Sequence, residues 1–298
     1  MQESYAHPEV LVSTEWVAGR LQDPTISVVE ISAYPPGSYY QGHLRGAIGW
    51  NLYSDLAHDT RRDLPGVAQI EKLLGSSGID NDTTVVVYSS ENQYATWAFW
   101  ILKYFRHKDV RVMNGGRQKW IAERRELTID ISNPIIKTYR AGLPDKTLRA
   151  SQSYILRNLG NQSFRLVDNR THEEYLGGSF ATSGNAQPQT NRKGRIPGAI
   201  HMPWDAVNSP DGTFMPIGEL RRTFEQKEIG PDHDLVSYCH MGVRSSYSWF
   251  ALKYLLGSDR ARNYDGSWVE WGNSIGLPIE VGGAPSPPQS EQPTPADL

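Results

Sequence analysis

Cys239 is the only cysteine in 298 residues, and it sits in the run LVSYCHMGVRSSYSWF (235–250). By count alone, a lone cysteine reads as a small buried hydrophobe. Its neighbours point elsewhere. An apolar run leads into Cys239, the residues HMGVR turn the chain, and a helix is expected to begin near 243–246. The N–H groups of such a loop and first helical turn lack intrahelical partners and can point back at the sulfur. The helix dipole favours an anion at the same place. Arg244 adds positive charge, as does His240 when protonated. Gly242 suits a backbone conformation that a residue with a Cβ resists. These features favour a thiolate and mark Cys239 as a nucleophile, with His240, Met241, Gly242, Val243, Arg244 and Ser245 as its active-site loop.

A thiolate in a cradle of amides can carry a second sulfur as a persulfide, or it can attack phosphorus. Phosphate needs the wider ring of the Cys-x5-Arg loops of cysteine phosphatases. Here Arg244 gives Cys-x4-Arg, one residue shorter, which favours sulfur. A Cys–His protease is disfavoured, because His240 adjoins the cysteine and is poorly placed as a general base. One thiol also excludes an intramolecular disulfide and any metal site built on several thiolates, and it fits a reducing cytoplasm.

The elements that would hold this loop occur twice. GHLRGAI (42–48) returns as GRIPGAI (194–200), and NGGRQKW (114–120) returns as DGSWVEW (265–271). Residues 85–105 align without a gap on residues 235–255 at an offset of 150, and SVVE (27–30) aligns with RLVD (165–168). Four blocks in one order indicate a duplicated domain. The runs 27–30, 83–88, 165–168 and 235–238 read as buried parallel strands, the first and third as the first strands of their sheets. Val243, Tyr247, Phe250, Ala251, Tyr254 and Leu255 give a helix with one buried face, ended at Gly257. The expected fold is α/β: two tandem domains, each a mostly parallel sheet with helices on both faces. Ligands of such sheets lie beyond the carboxyl ends of the strands, where Cys239 falls.

The expected divisions are a first domain over 1–132, a linker over 133–149, a second domain over 150–281 and a disordered tail over 282–298. Residues 177–193 are expected to form a polar surface loop between two motifs of the second half. The net charge of -3, from 30 basic and 33 acidic residues, gives no footprint for nucleic acid or an anionic membrane. No apolar run is long enough to span a bilayer. The N-terminus lacks a basic stretch before an apolar run, so no secretory leader is expected and the location is read as cytoplasmic.

LVDNRTHEEY (166–175), GRIPGAIHMPW (194–204), DGTF (211–214), YCHMGVRSS (238–246) and NYDGSWVEWG (263–272) together resemble the tandem-domain rhodaneses, the thiosulfate and 3-mercaptopyruvate sulfurtransferases. The loop is most similar to that of actinobacterial-type two-domain thiosulfate sulfurtransferases. The resemblance implies two rhodanese-like domains and ping-pong transfer of sulfane sulfur through a Cys239 persulfide. The donor would be a small anion and the acceptor cyanide or a thiol, a protein thiol included. No metal or organic cofactor is implied. The second domain would be the catalyst. The first, with Ser89 at the position of Cys239 and SENQY (90–94) lacking both glycine and arginine, would be a degenerate copy walling the cleft.

Met241 stands where mercaptopyruvate-type loops carry serine, which favours thiosulfate; 3-mercaptopyruvate and low-molecular-weight persulfides are the alternatives. A phosphatase or arsenate reductase on the same fold, and a sulfur-carrier module, are more distant ones. Asp168 and Arg170 occupy the family's Asp-x-Arg position and are expected to brace the loop or bind substrate, as are Arg195 and Arg244. Trp204 or Trp268 is expected to line the site.

Overall fold

The computed structural model describes residues 4–33, 37–180 and 190–283. The first half contains β1 (Leu11–Val12), α1 (Thr14–Ala18), β2 (Ile26–Ser32), β3 (Ile48–Asn51), α2 (Val67–Ser76), β4 (Thr84–Ser89), α3 (Asn92–Tyr104), β5 (Val110–Met113) and α4 (Gly116–Ala122). The second contains α5 (Gln152–Asn158), β6 (Phe164–Asp168), α6 (His172–Leu176), β7 (Ile200–His201), α7 (Ile217–Glu225), β8 (Asp234–Tyr238), α8 (Val243–Phe250), β9 (Ala261–Tyr264) and α9 (Ser267–Trp271). The sheets run β1-β5-β4-β2-β3 and β7-β6-β8-β9, and every strand pairing in them is parallel.

The two sheets match in strand order, β3 with β7, β2 with β6, β4 with β8 and β5 with β9. They differ at one edge. The two-residue β1 precedes the strand expected to open the first sheet, and in the second half a single parallel bridge, Arg149 to Asn263, takes its place. The strands are apolar because both faces are covered. Along β4, Val85 and Val87 enter one core and Val86 and Tyr88 another, the period of two expected of a strand. The core holding Val85 and Val87 also contains Leu235, Phe250 and Leu252, so it is shared between the halves.

That shared core is built on α3 and α8, which lie against one another. Thr96 and Ser246, equivalent residues 150 apart, meet Oγ1 to Oγ at 3.0 Å. Phe99 packs edge-on against Phe250 with ring centroids 4.9 Å apart. This overturns the expectation of a helix with a single buried face. The polar side of α8 is buried too, against α3 on one side and against Asn263 and Asn169 of its own half on the other, and its serines are satisfied in both places. Ser245 bonds Asn263, Ser246 bonds Thr96, and Ser248 bonds Asn169. The helix also changes pitch, continuing as a π-helical turn over Ala251–Leu255 before Gly257 at φ +79°.

Residues 133–145 carry no helix or strand but lie along the first half: the Lys137 amide donates to Gly75, and buried Tyr139 bonds His107. Residues 181–189 of the loop expected at 177–193, and 284–298 of the tail expected at 282–298, lie outside the described residues.

The duplication extends to buried polar networks, with one exchange. In the second half, Tyr238 Oη donates to Asp168 at 2.6 Å, and Arg170 from the β6 end bridges Asp168 and the Gly194 carbonyl. In the first half, Tyr88 Oη donates to Glu30 at 2.6 Å, but position 32 is serine. The guanidinium comes instead from α4: Arg117 pairs with Glu30 at 3.6 Å and donates to the Gly42 carbonyl. The second-half position matching Arg117 is Trp268, whose ring lies 4.7 Å from the Arg170 guanidinium carbon. Each half therefore places one guanidinium between the acid of the matching strand, β2 or β6, and the glycine carbonyl, from different elements.

Candidate active site

Cys239 follows β8 directly, and α8 starts four residues later. Gly242, at φ +90°, caps the helix in the left-handed region, and its N–H donates to Cys239 Sγ at 3.2 Å. A Cβ at Gly242 would lie 2.5 Å from Asp265 Cα, so only glycine fits. The other side of the loop is fastened to α9. Ser267 Oγ accepts from the Cys239 N–H at 3.0 Å, while the Trp268 and Val269 amides donate to the Cys239 and His240 carbonyls. Ser267 itself has φ +51°, unusual for a residue with a side chain, and its hydroxyl donates to Tyr264 O at 2.6 Å. Asn263 and Ser245 both bond the Gly242 carbonyl, closing the loop from below. Backbone geometry therefore fixes the sulfur before any substrate arrives.

Arg244 makes a two-pronged ion pair with Glu174, at 2.8 and 2.9 Å. Burial works against the Arg244 charge, but the hydrogen bonds and charge of Glu174 outweigh it and raise its pKa above the usual value. Glu174 is fully buried. Burial disfavours its charge as well, yet Arg244, the Thr171 amide and Arg170 hold its pKa down at about 2. Thr171 and Glu174 cap α6 reciprocally, the Thr171 hydroxyl accepting from the Glu174 N–H and the Glu174 carboxylate from the Thr171 N–H. The first turn of α6 thus aims the carboxylate that aims Arg244. Glu174 is not among the residues expected at the site, although its signal, Thr-x-x-Glu at 171–174, is present in the sequence.

Cys239 lines a cavity of about 290 Å³ with His240, Met241, Val243, Arg244, Thr171 and Trp204. The first half closes it with Leu52, Tyr53, Glu91, Gln93 and Tyr94. A neighbouring cavity of about 460 Å³ shares Leu52, Tyr53, Met241 and Val243 with it. Nothing in the spacing of residues 52, 53 and 91–94 signals that they meet Cys239, since only docking of the halves brings them there.

Of the remaining expected residues, Trp204 alone lines the cavity. Asp168 and Arg170 are fully buried and bonded to each other at 2.6 Å, beneath Tyr238, so they brace the strand ends and do not line the cavity. Arg195 is also absent from the cavity lining. It holds Glu280 at 3.1 Å and donates to the Gly282 carbonyl, tying down the end of the second half. Of the two tryptophans, Trp204 lines the cavity and Trp268 is core. His201 and His233 supply no general base to Cys239: His201 Nε2 bonds the Arg170 carbonyl, His233 bonds Gly230, and neither lines the cavity. Ser89, at the position of Cys239, has its hydroxyl turned onto the Glu91 carbonyl at 2.6 Å, a self-contained turn. Among the described residues, no cluster of three or more His, Cys, Asp or Glu could hold a metal ion, and no helix is long and apolar enough to cross a membrane.

A duplicated parallel α/β unit, with a single thiol cradled at the strand–helix turn of its second copy, defines the class of protein. The rhodanese-like domain family matches residues 13–123 and 151–274, and the chain belongs to that family. It is 43% identical to the sulfur carrier protein TtuD of Thermus thermophilus over 93% of this chain and 99% of that one. It is 37% identical, over the same shares of each chain, to a Mycolicibacterium smegmatis protein named as a candidate thiosulfate sulfurtransferase. Among solved structures, the anaerobic ergothioneine biosynthesis enzyme of Chlorobium limicola, in complex with trimethyl histidine, superposes with a TM-score of 0.84 at 25% identity, covering 95% of this chain and 72% of that one. A structure of EanB with a cysteine persulfide gives a TM-score of 0.83 at 26% identity, over 95% of this chain and 73% of that one.

Proposed function

We propose that this protein is a sulfurtransferase in which Cys239 carries sulfane sulfur as a persulfide. The observation that carries the reading is the Gly242 N–H directed at Sγ inside a cavity that also holds Arg244. The Cys239 thiolate attacks the outer sulfur of thiosulfate, the S–S bond of the donor breaks, and sulfite leaves with its electron pair. The outer sulfur then sits on Cys239, its charge met by the loop amides and the α8 N-terminus. A thiolate or cyanide attacks that sulfur and returns Cys239 to the thiolate. No cofactor is required. Arg244 orients the anionic donor, and Glu174 positions Arg244.

The catalytic unit in this reading is residues 150–281. Residues 1–132 are a non-catalytic copy that walls the cavity, and 133–149 link the two. Asp168, Arg170 and Arg195 are braces and not substrate ligands. A small anionic donor, a thiol acceptor and a reducing cytoplasm complete the picture. Thiosulfate is favoured over 3-mercaptopyruvate because Met241 offers no hydroxyl to a keto acid. A second reading, relay of sulfur to a protein thiol, is supported by the 43% identity to a protein named as a sulfur carrier.

The test is to incubate the protein with thiosulfate and measure intact mass. Gain of one sulfur atom, reversed by cyanide and absent in Cys239→Ser, is expected. Side-by-side turnover with thiosulfate and 3-mercaptopyruvate ranks the donors. Hydrolysis of an aryl phosphate with no sulfur gain from either donor would sink the reading.

A further inference from the structure

The two walls of the Cys239 cavity differ in chemistry. The second half brings the sulfur, the Gly242 amide and Arg244, whose charge is already answered by buried Glu174. The first half brings its own turn, residue for residue the counterpart of the cysteine loop: Glu91 matches Met241, Gln93 matches Val243 and Tyr94 matches Arg244. Glu91 is a carboxylate facing the cavity, with its Oε2 held by the Gln93 amide at 3.0 Å. Gln93 is buried and therefore a fixed support, whereas Glu91 is exposed and open to a ligand. Tyr53, Tyr94 and Trp204 line the same space. An oriented carboxylate in an aromatic-walled cavity attracts an ammonium group through both Coulomb attraction and the ring quadrupoles.

We infer that the 91–94 turn of the first half is a recognition wall for the sulfur acceptor, and that the acceptor it selects is a small thiol bearing a positively charged amine. The inference rests on the persulfide reading above. In the step concerned, the acceptor thiolate attacks the outer sulfur of the Cys239 persulfide. A new S–S bond forms to the acceptor, the bond between the outer sulfur and Sγ breaks, and its electron pair returns to Cys239 as the thiolate. The acceptor leaves as a persulfide, and its ammonium group rests against Glu91 during the attack. The degenerate half thus sets specificity for the catalytic one.

The experiment loads the full-length protein with sulfur from thiosulfate, removes the donor and follows loss of the persulfide by mass in single turnovers. The acceptors are cysteamine, 2-mercaptoethanol and 3-mercaptopropionate, which are similar in size and positive, neutral and negative, compared at equal thiolate concentration and each divided by its rate with a small free persulfide, since the more basic thiolate is the stronger nucleophile. Cysteamine is expected to outrun 3-mercaptopropionate about tenfold at low salt, and the ratio to shrink as salt screens the exposed carboxylate. Glu91→Gln should bring the ratio within about twofold and Glu91→Lys should invert it. Both substitutions are at an exposed position, and each ratio is read within one preparation, so a general loss of activity cancels. A ratio near one in the unaltered protein, or a ratio that Glu91→Gln leaves in place, overturns the assignment while sulfur transfer stands. Failure of the protein to take up sulfur from any donor overturns the persulfide reading itself, and this assignment with it.

Discussion

Glu174 shows how one buried carboxylate sets the electrostatics of the site. Its pKa lies at about 2 in the folded protein, against an ordinary 4.5. A depressed folded pKa means that the stabilisation is fully present above the ordinary value and is lost as pH falls toward the folded one. The linkage is worth about 3 kcal/mol. Glu174→Gln leaves the Arg244 guanidinium without its counter-charge, so stability at neutral pH should drop by about 3 kcal/mol. The gap to the unaltered protein should close as pH is lowered from 4.5 toward 2. Urea denaturation at a series of pH values checks both statements, and a gap independent of pH would refute the pairing. Cys239→Ser should behave oppositely. Sulfur transfer should fall by about a thousandfold or more, while stability moves by less than about 1 kcal/mol, since a hydroxyl fits the same space and accepts from Gly242.

The loop between β8 and α8 depends on backbone positions more than on side-chain charge. Gly242→Ala places a Cβ 2.5 Å from Asp265 Cα in a left-handed conformation. The expected cost is above about 2 kcal/mol, with loss of sulfur uptake because the loop must shift. Thermal denaturation and intact mass after thiosulfate treatment read these separately. The exchanged guanidinium makes a contrast at the level of the element. Arg170 grips Asp168 at 2.6 Å with both groups fully buried, whereas Arg117 stands 3.6 Å from Glu30, which Ser38 and Tyr88 also serve. Arg170→Ala should therefore destabilise by about 3–5 kcal/mol and Arg117→Ala by less. Equal losses would show that the two networks are equivalent in spite of their geometry.

At the scale of the whole molecule, the halves share a core through α3 and α8, with Phe99, Trp249 and Phe250 in it. Arg149 adds a polar tie across the halves, 2.8 Å from both Asp63 and Asp265. Unfolding should be a single cooperative transition, with calorimetric and van't Hoff enthalpies in agreement. Phe99→Ala should lower the midpoint for both halves together, by a destabilisation of about 3–5 kcal/mol. Two resolved transitions would mean that the halves are independent.

Much of this was legible in the residues. The repeat offsets located the paired strands, and the Cys-x-x-Gly-x-Arg spacing located the nucleophile and its loop, because a strand, a glycine turn and a helix start are local features with local signals. Arg195, Trp268 and the serines of α8 were less legible. Their types left exposure or substrate contact open, and burial against partners far along the chain settled them. The sequence by itself determined the duplication, the parallel α/β fold of each half and the single thiol at a strand end. Tertiary structure decided which charge answers Arg244, which turn fastens the cysteine loop and which residues of the first half face the sulfur. Those contacts join residues 28 apart where Ser267 fastens the loop, 70 apart where Glu174 meets Arg244, and still farther apart where the first half faces Cys239, and no periodicity along a chain encodes which surfaces two packed domains present to each other.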